Sequence, residues 1–132
     1  MPTHWVEPDD MVSMAGTKLP SSDWMTVEQD RINTFADCTE DHQFIHIDEE
    51  AAAKSPFGGT IAHGFLTLSL LTKLSSENSI GVKGVVIGVN YGIDKLRFLA
   101  PVRAGKRIRA HTEVLSVDRK DANRFLVKTA VT

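Results

Sequence analysis

Between Phe35 and Ser69 the chain gathers an aspartate, three histidines and a glycine-punctuated helix start: Asp41, His42 and His46, then Gly58-Gly59-Thr60-Ile61-Ala62-His63-Gly64. An unperturbed aspartate titrates near ~3.9 and an unperturbed histidine near ~6.5, so at neutral pH such a pair offers a carboxylate and a largely neutral imidazole. Together they can hold and polarise one water between a base and a proton carrier. Asp41 and His46 are close enough in sequence to converge from one loop. The same spacing also fits a turn aspartate and an incidental surface histidine, and periodicity does not choose between them. Gly64 lies in the first turn of an apolar segment, where a missing Cβ lets a ligand approach backbone. The unpartnered N–H groups of a helix start carry partial positive charge and can hold a carbonyl oxygen that becomes negative. Gly59 and Gly64 also fit a plainer role, a turn and tight packing. Ser69, further along, can reach a carboxylate of the Asp41 loop or bond back to the Phe65 carbonyl, as helical serines do. His42, His46, Asp48 and His63 are conceivable metal ligands, but no further residue completes a metal-binding spacing, and no metal is expected.

These groups need elements to position them. The pair Thr26 and Gln29 predicts a capping box opening a helix, with Val27, Ile32, Phe35 and Ala36 on its apolar side and its end near Thr39. A loop or single turn follows over Asp41 to His46. Asp48 is placed to cap a short helix through Ala53, and Ser55-Pro56-Phe57-Gly58-Gly59 must be irregular. Ile61 to Leu74 predicts a second long helix, apolar on nearly every side and therefore buried.

From Val85 the period changes to two. Val85, Ile87, Val89, Tyr91 and Ile93 share one face, then Leu96 and Phe98 continue in the opposite phase, with a bulge expected beside Gly92. Pro101 to Gly105 reads as a turn, Arg107 to Val114 as a half-buried strand, Asp118 to Asn123 as a hairpin turn and Phe125 to Val131 as a last strand. Met1 to Gly16 shows no clear period beyond a helical turn near Val12, and Trp24-Met25 reads as a short strand. Helices followed by strands argue for an α+β fold. An antiparallel sheet wrapped around the Ile61–Leu74 helix, the hot-dog arrangement, would bury it.

The chain's 132 residues suit a single domain, and its 42% hydrophobic and 24% charged content is that of an ordinary globular protein. A net charge of −2 without a basic run gives no reason to expect nucleic acid as a partner. Cys38 stands alone, so no intrachain disulfide forms. No apolar run reaches the ~18 residues of a membrane span, and Met1 to Asp10 has no signal-peptide core. A cytoplasmic protein with no membrane partner is the expectation.

Three segments carry a resemblance. Phe35-Ala36-Asp37-Cys38-Thr39-Glu40-Asp41-His42-Gln43-Phe44-Ile45-His46-Ile47-Asp48 resembles the signature of MaoC-like, (R)-specific enoyl-CoA hydratases. Pro56 to Ser69 resembles that family's entry into its central helix, and Asn90-Tyr91-Gly92 with Lys95, Arg97, Phe98, Pro101 and Val102 resembles the strand and turn that follow. The resemblance runs from about Gly16 to Thr132 and is nearest to the nodulation-protein-N-like subgroup. It implies hydration of a trans-2-enoyl thioester to an (R)-3-hydroxyacyl-CoA, without a cofactor beyond the substrate's own CoA. It places Asp41 and His46 on the catalytic pair, Ser69 on the serine that orients the aspartate, and Gly64 where a backbone N–H meets the thioester oxygen. Two departures stand out: Glu40 replaces the usual glycine, and Gln43-Phe44 replace an Asn-Pro, the latter as in the narrower subgroup. A thioesterase and a non-catalytic acyl-CoA-binding subunit are the alternative functions on the same fold. The resemblance also implies a homodimer. It implies as well a further strand after Val131, so that residues 1–132 are expected to be one hot-dog domain lacking that strand.

Overall fold

A computed structural model describes residues 2–132. The chain folds as two compact units. One comprises the chain up to Asp23, Thr72–Gly92 and Arg109–Thr132, and the other comprises Trp24–Leu71 and Ile93–Ile108.

The first unit is built on a hairpin of β5 (Thr112–Asp121) and β6 (Arg124–Val131), paired antiparallel from Thr112 opposite Val131 to Asp121 opposite Arg124. Its two register shifts, at Val114/Ser116 and Arg119/Asp121, bend the ribbon. β1 (His4–Val6) runs parallel to β3 (Ile80–Val82). A 3₁₀ helix over Pro8–Met14 follows β1, with proline in its first turn where its missing N–H costs nothing. The lead-in thus holds a short strand as well as the expected helical turn. Val6, Met11 and Val82 form the buried cluster, with Met14, Ile80, Val85, Val117 and Phe125 packed on it. Beyond the 3₁₀ helix the chain runs beside the hairpin: Gly16 N–H donates to Val114 O, Leu19 N–H to Thr112 O and Ser22 N–H to Ala110 O.

The second unit carries α1 (Gln29–Thr39), α2 (Phe44–Ile47), α3 (Glu49–Ala53) and α4 (Gly64–Ser69), with β2 (Met25–Thr26) antiparallel to β4 (Arg107–Ile108). Val27, Ile32 and Ala36 are completely buried, as the apolar side of α1 requires. Asp48 caps α3, its carboxylate accepting from Ala51 N–H at 3.0 Å. The capping box does not form. α1 begins after Glu28, which has no side-chain cap bond, and Gln29 bonds elsewhere, as described below.

Three other elements differ from the sequence reading. Helix does not begin at Ile61, because residues 60–62 are recruited as extended backbone: Ala62 N–H donates to Val102 O, Ala104 N–H to Thr60 O, and Ile61 bridges Arg103. Helix starts at Gly64, pauses at Leu70 and resumes as α5 (Leu71–Ser76). Burial follows a stripe, Leu66, Leu70 and Leu74, while Phe65 is 67% exposed, so the helical run is amphipathic rather than apolar all round. The strand expected over Arg107–Val114 is interrupted at residues 109–111 and appears as β4 and the start of β5. No ladder reaches residues 86–100 among the described residues, although their alternation is that of a strand. Val86, Ile87, Val89 and Tyr91 are all more than 70% exposed. A two-residue period becomes a strand only where a neighbour takes its N–H and C=O groups. Among the described residues no helix is long and apolar enough to cross a membrane.

Candidate active site

α1 ends against Glu40, the one non-glycine residue described with positive φ, at +61°. A left-handed residue there turns the chain sharply off the helix and delivers Asp41 beside the buried segment Thr60–His63. Side chains with a Cβ pay about 1–2 kcal/mol for this conformation, whereas glycine does not but has more unfolded-state freedom to lose. Glu40→Gly is therefore expected to stabilise the protein by up to ~1 kcal/mol, a rise of about 3 °C in melting temperature. Calorimetry showing no change or a fall would mean that Glu40 gains compensating contacts.

α2 places His46, which is buried at 7% exposure, while Asp41 stays exposed. His46 Nδ1 lies 2.7 Å from the Ile61 carbonyl oxygen. A carbonyl only accepts, so Nδ1 carries the proton, and the lone pair of neutral His46 is on Nε2. Ile61 N–H in turn donates to Ile45 O at 2.9 Å, locking α2 to the extended segment. Gln29 completes the frame: its amide donates to the His46 carbonyl at 2.7 Å, and its oxygen accepts from the buried Thr60 hydroxyl at 2.5 Å.

His63 is more buried than His46, at 2% exposure. Its ring stacks on His46, with centroids 3.8 Å apart and planes 22° apart, and Phe35 packs at 4.9 Å. His63 Nε2 lies 3.0 Å from the Asp41 main-chain oxygen. Nitrogen atoms of His46 and His63 and a carboxylate oxygen of Asp41 all lie within 4.8 Å of one another. A water with two hydrogen bonds of ~2.8 Å can bridge such a gap.

The convergence tests the metal reading. A metal ~2.0–2.1 Å from two imidazole nitrogens must lie in both ring planes. Stacked rings tilted by 22° do not share such a point, so the trio suits proton transfer better than coordination. His42 faces Asp37 at 3.0 Å, and Asp48 is occupied as the α3 cap, so neither joins the cluster.

Ser69 does not orient Asp41 here. It is exposed, and its hydroxyl donates to the Phe65 carbonyl at 2.8 Å, one helical turn back. Gly64 is the first residue of α4. A Cβ there would sit 3.0 Å from the Phe98 ring, so glycine permits a close approach at the helix start. Gln29, Thr60, Phe35 and the Ile61 carbonyl escape sequence reasoning, since nothing in their local pattern distinguishes them from cap, turn and core residues. His63 shows in the sequence within the glycine-flanked motif and as a conceivable metal ligand, not as a partner of Asp41.

A family model described as "MaoC like domain" matches residues 10–132, nearly the whole chain. The chain belongs to the MaoC-like domain family. A 3-hydroxyacyl-thioester dehydratase Z of Mycobacterium tuberculosis is 50% identical over 83% of this chain and 72% of its own length. Nodulation protein N of Rhizobium leguminosarum bv. viciae is 52% identical over 76% of this chain and 63% of its own, so the chain spans less than two thirds of that relative. Among solved structures, a monoamine oxidase regulatory protein from Archaeoglobus fulgius superposes with a TM-score of 0.76 at 30% identity, over 99% of this chain and 86% of that one. An (R)-hydratase from A. caviae involved in PHA biosynthesis gives 0.60 at 26%, over 80% and 75%. The MaoC-like fold is α+β, the hot dog of these dehydratases.

Proposed function

We propose that this MaoC-like protein is an (R)-specific enoyl-CoA hydratase, adding water to a trans-2-enoyl-CoA and, in reverse, dehydrating an (R)-3-hydroxyacyl-CoA. The coarser part of this reading, hydration and dehydration of 3-hydroxyacyl thioesters, is supported by the family and by the dehydratase Z relative. The (R) outcome is supported by the likeness to the A. caviae (R)-hydratase.

One observation carries the reading: a carboxylate oxygen of Asp41 and a nitrogen of His46 lie within 4.8 Å, a gap that one water can bridge, and the Ile61 carbonyl fixes neutral His46 with its lone pair on Nε2. Asp41 accepts one water hydrogen, and His46 Nε2 accepts the other. As the water oxygen bonds to C3, that O–H bond breaks toward Nε2, and the alkene electrons move through C2 onto the thioester oxygen. The Gly64 N–H, at the start of α4, is the group we assign to that oxygen. The imidazolium then returns its Nε2 proton to C2 on the face the water occupied. The products are the C3 hydroxyl, a C2–H bond and a neutral His46, so the chemistry needs no metal and no cofactor beyond the CoA of the substrate.

The test is an assay of purified protein on matched saturated and 2-unsaturated acyl-CoAs, with chiral analysis of the product from crotonyl-CoA. Loss of the enoyl absorbance and an (R) alcohol are expected. Thiol release from the saturated substrate would indicate a thioesterase, and a dominant (S) alcohol would reject the stereochemical assignment.

We further propose that the protein acts as a cytoplasmic homodimer. An exposed thiol at Cys38 suits a reducing compartment, and the exposed apolar residues from Val86 to Ile93 present a surface that a second copy can cover. A fully active monomer by light scattering at micromolar concentration would contradict the dimer.

A further inference from the structure

We propose that His63 is a positioning residue of this site, tying the main chain of Asp41 to the buried segment through its Nε2–H while its ring supports the face of His46. The inference rests on the hydratase reading and adds a group to it. Asp41 sits on an exposed loop, directly after a left-handed residue. One carboxylate oxygen accepts from Gln43 N–H, long at 3.3 Å, and the other lies 4.0 Å from His63 Nε2. A loop held so loosely would let the carboxylate wander, and a displacement of ~1 Å can cost ~10²-fold in rate. His63 Nε2, 3.0 Å from the Asp41 carbonyl oxygen, supplies the tether from a side that solvent does not reach.

The tautomer follows from the same bond. The Asp41 carbonyl accepts, so Nε2 bears the proton and Nδ1 holds a lone pair. Nδ1 is buried and has no hydrogen-bond partner among the described residues. An unsatisfied buried acceptor weakens the fold, so a phenylalanine, similar in shape, would suit this position better for packing alone. Phe35, tilted by 56° at 4.9 Å, and His46, stacked at 3.8 Å, already pack their rings against it. A histidine here does what phenylalanine could not, donating its Nε2–H to the Asp41 carbonyl oxygen.

The experiment compares His63→Phe with His63→Gln, whose side-chain amide can place a donor near Nε2. Steady-state kinetics on a trans-2-enoyl-CoA and thermal melts are recorded for both and for the unaltered protein. Activity of the unaltered protein tests the hydratase reading by itself, and the variants test the positioning role. His63→Phe is expected to melt at the same or a higher temperature while kcat falls at least ~10-fold, with KM within about threefold. His63→Gln is expected to recover most of that kcat even where its melting temperature falls. Should His63→Phe fail to fold, His63→Met takes its place as the variant without a donor. A variant without a donor that turns over at the unaltered rate overturns the proposal, and so does a Gln variant as impaired as the variant without a donor.

Discussion

Replacing His46 with Gln, or Asp41 with Asn, is expected to lower the rate of hydration by at least ~10²-fold, the lower end of what a positioned acid or base contributes. Each substitution keeps shape and removes one function. Asn at position 41 still accepts a hydrogen bond from water but carries no charge to orient it against the developing imidazolium. Gln at position 46 can still donate to the Ile61 carbonyl, but its one amide cannot also offer a basic nitrogen where Nε2 now lies. Because both groups act on one water, the double variant should be little worse than either single one, as for residues that work as a unit. Stopped assays on folded protein, checked by circular dichroism, measure this. Near-normal turnover in either single variant would move the active site elsewhere.

The largest effect on stability is expected at Ile32. Its side chain is completely buried on the apolar side of α1. Truncation to Ala removes apolar contacts and leaves a cavity, a combination that costs about 2–5 kcal/mol in well-packed cores. α1 also carries Gln29, which holds the His46 carbonyl, and Phe35, which packs on His63. Loosening it should therefore lower activity together with stability. Urea denaturation of Ile32→Ala gives the number, and a loss below ~1 kcal/mol would show that the region repacks or is looser than its burial implies.

Much of the second unit was legible because its signals are local. The apolar side of α1, the Asp48 cap and the irregular Ser55–Gly59 segment all follow from residues within a turn or two of each other. Residue type suggests the acid/base pair, but its convergence depends on Glu40 turning the chain and on the Ile61 carbonyl accepting the His46 Nδ1–H bond, which no spacing encodes. Gln29 shows how a local rule is overridden. Its pattern with Thr26 fits a capping box, yet besides Asn33 one turn on, its partners in the fold lie 17 and 31 residues away. The sequence places the helix start at Ile61 rather than Gly64 for a similar reason, since Ile61 and Ala62 read as helix formers until residues 102–104 claim their backbone. Ser69 resolves toward its own helix because the Phe65 carbonyl is always one turn away, whereas the Asp41 loop must be brought there. The 86–100 segment has the alternation of a strand, but pairing is a property of its neighbours and not of the segment.

The shared water is the centre of the account, and the product formed in deuterium oxide tests it most directly. Crotonyl-CoA hydrated by the protein in D2O and examined by NMR before extensive reversal should carry one deuterium at C2, on the face that bears the new C3 hydroxyl. That syn outcome follows if the water held between Asp41 and His46 gives its oxygen to C3 and its deuteron, through His46 Nε2, to C2. Deuterium on the opposite face, or an equal mixture of the two C2 epimers, would contradict a single water shared by Asp41 and His46.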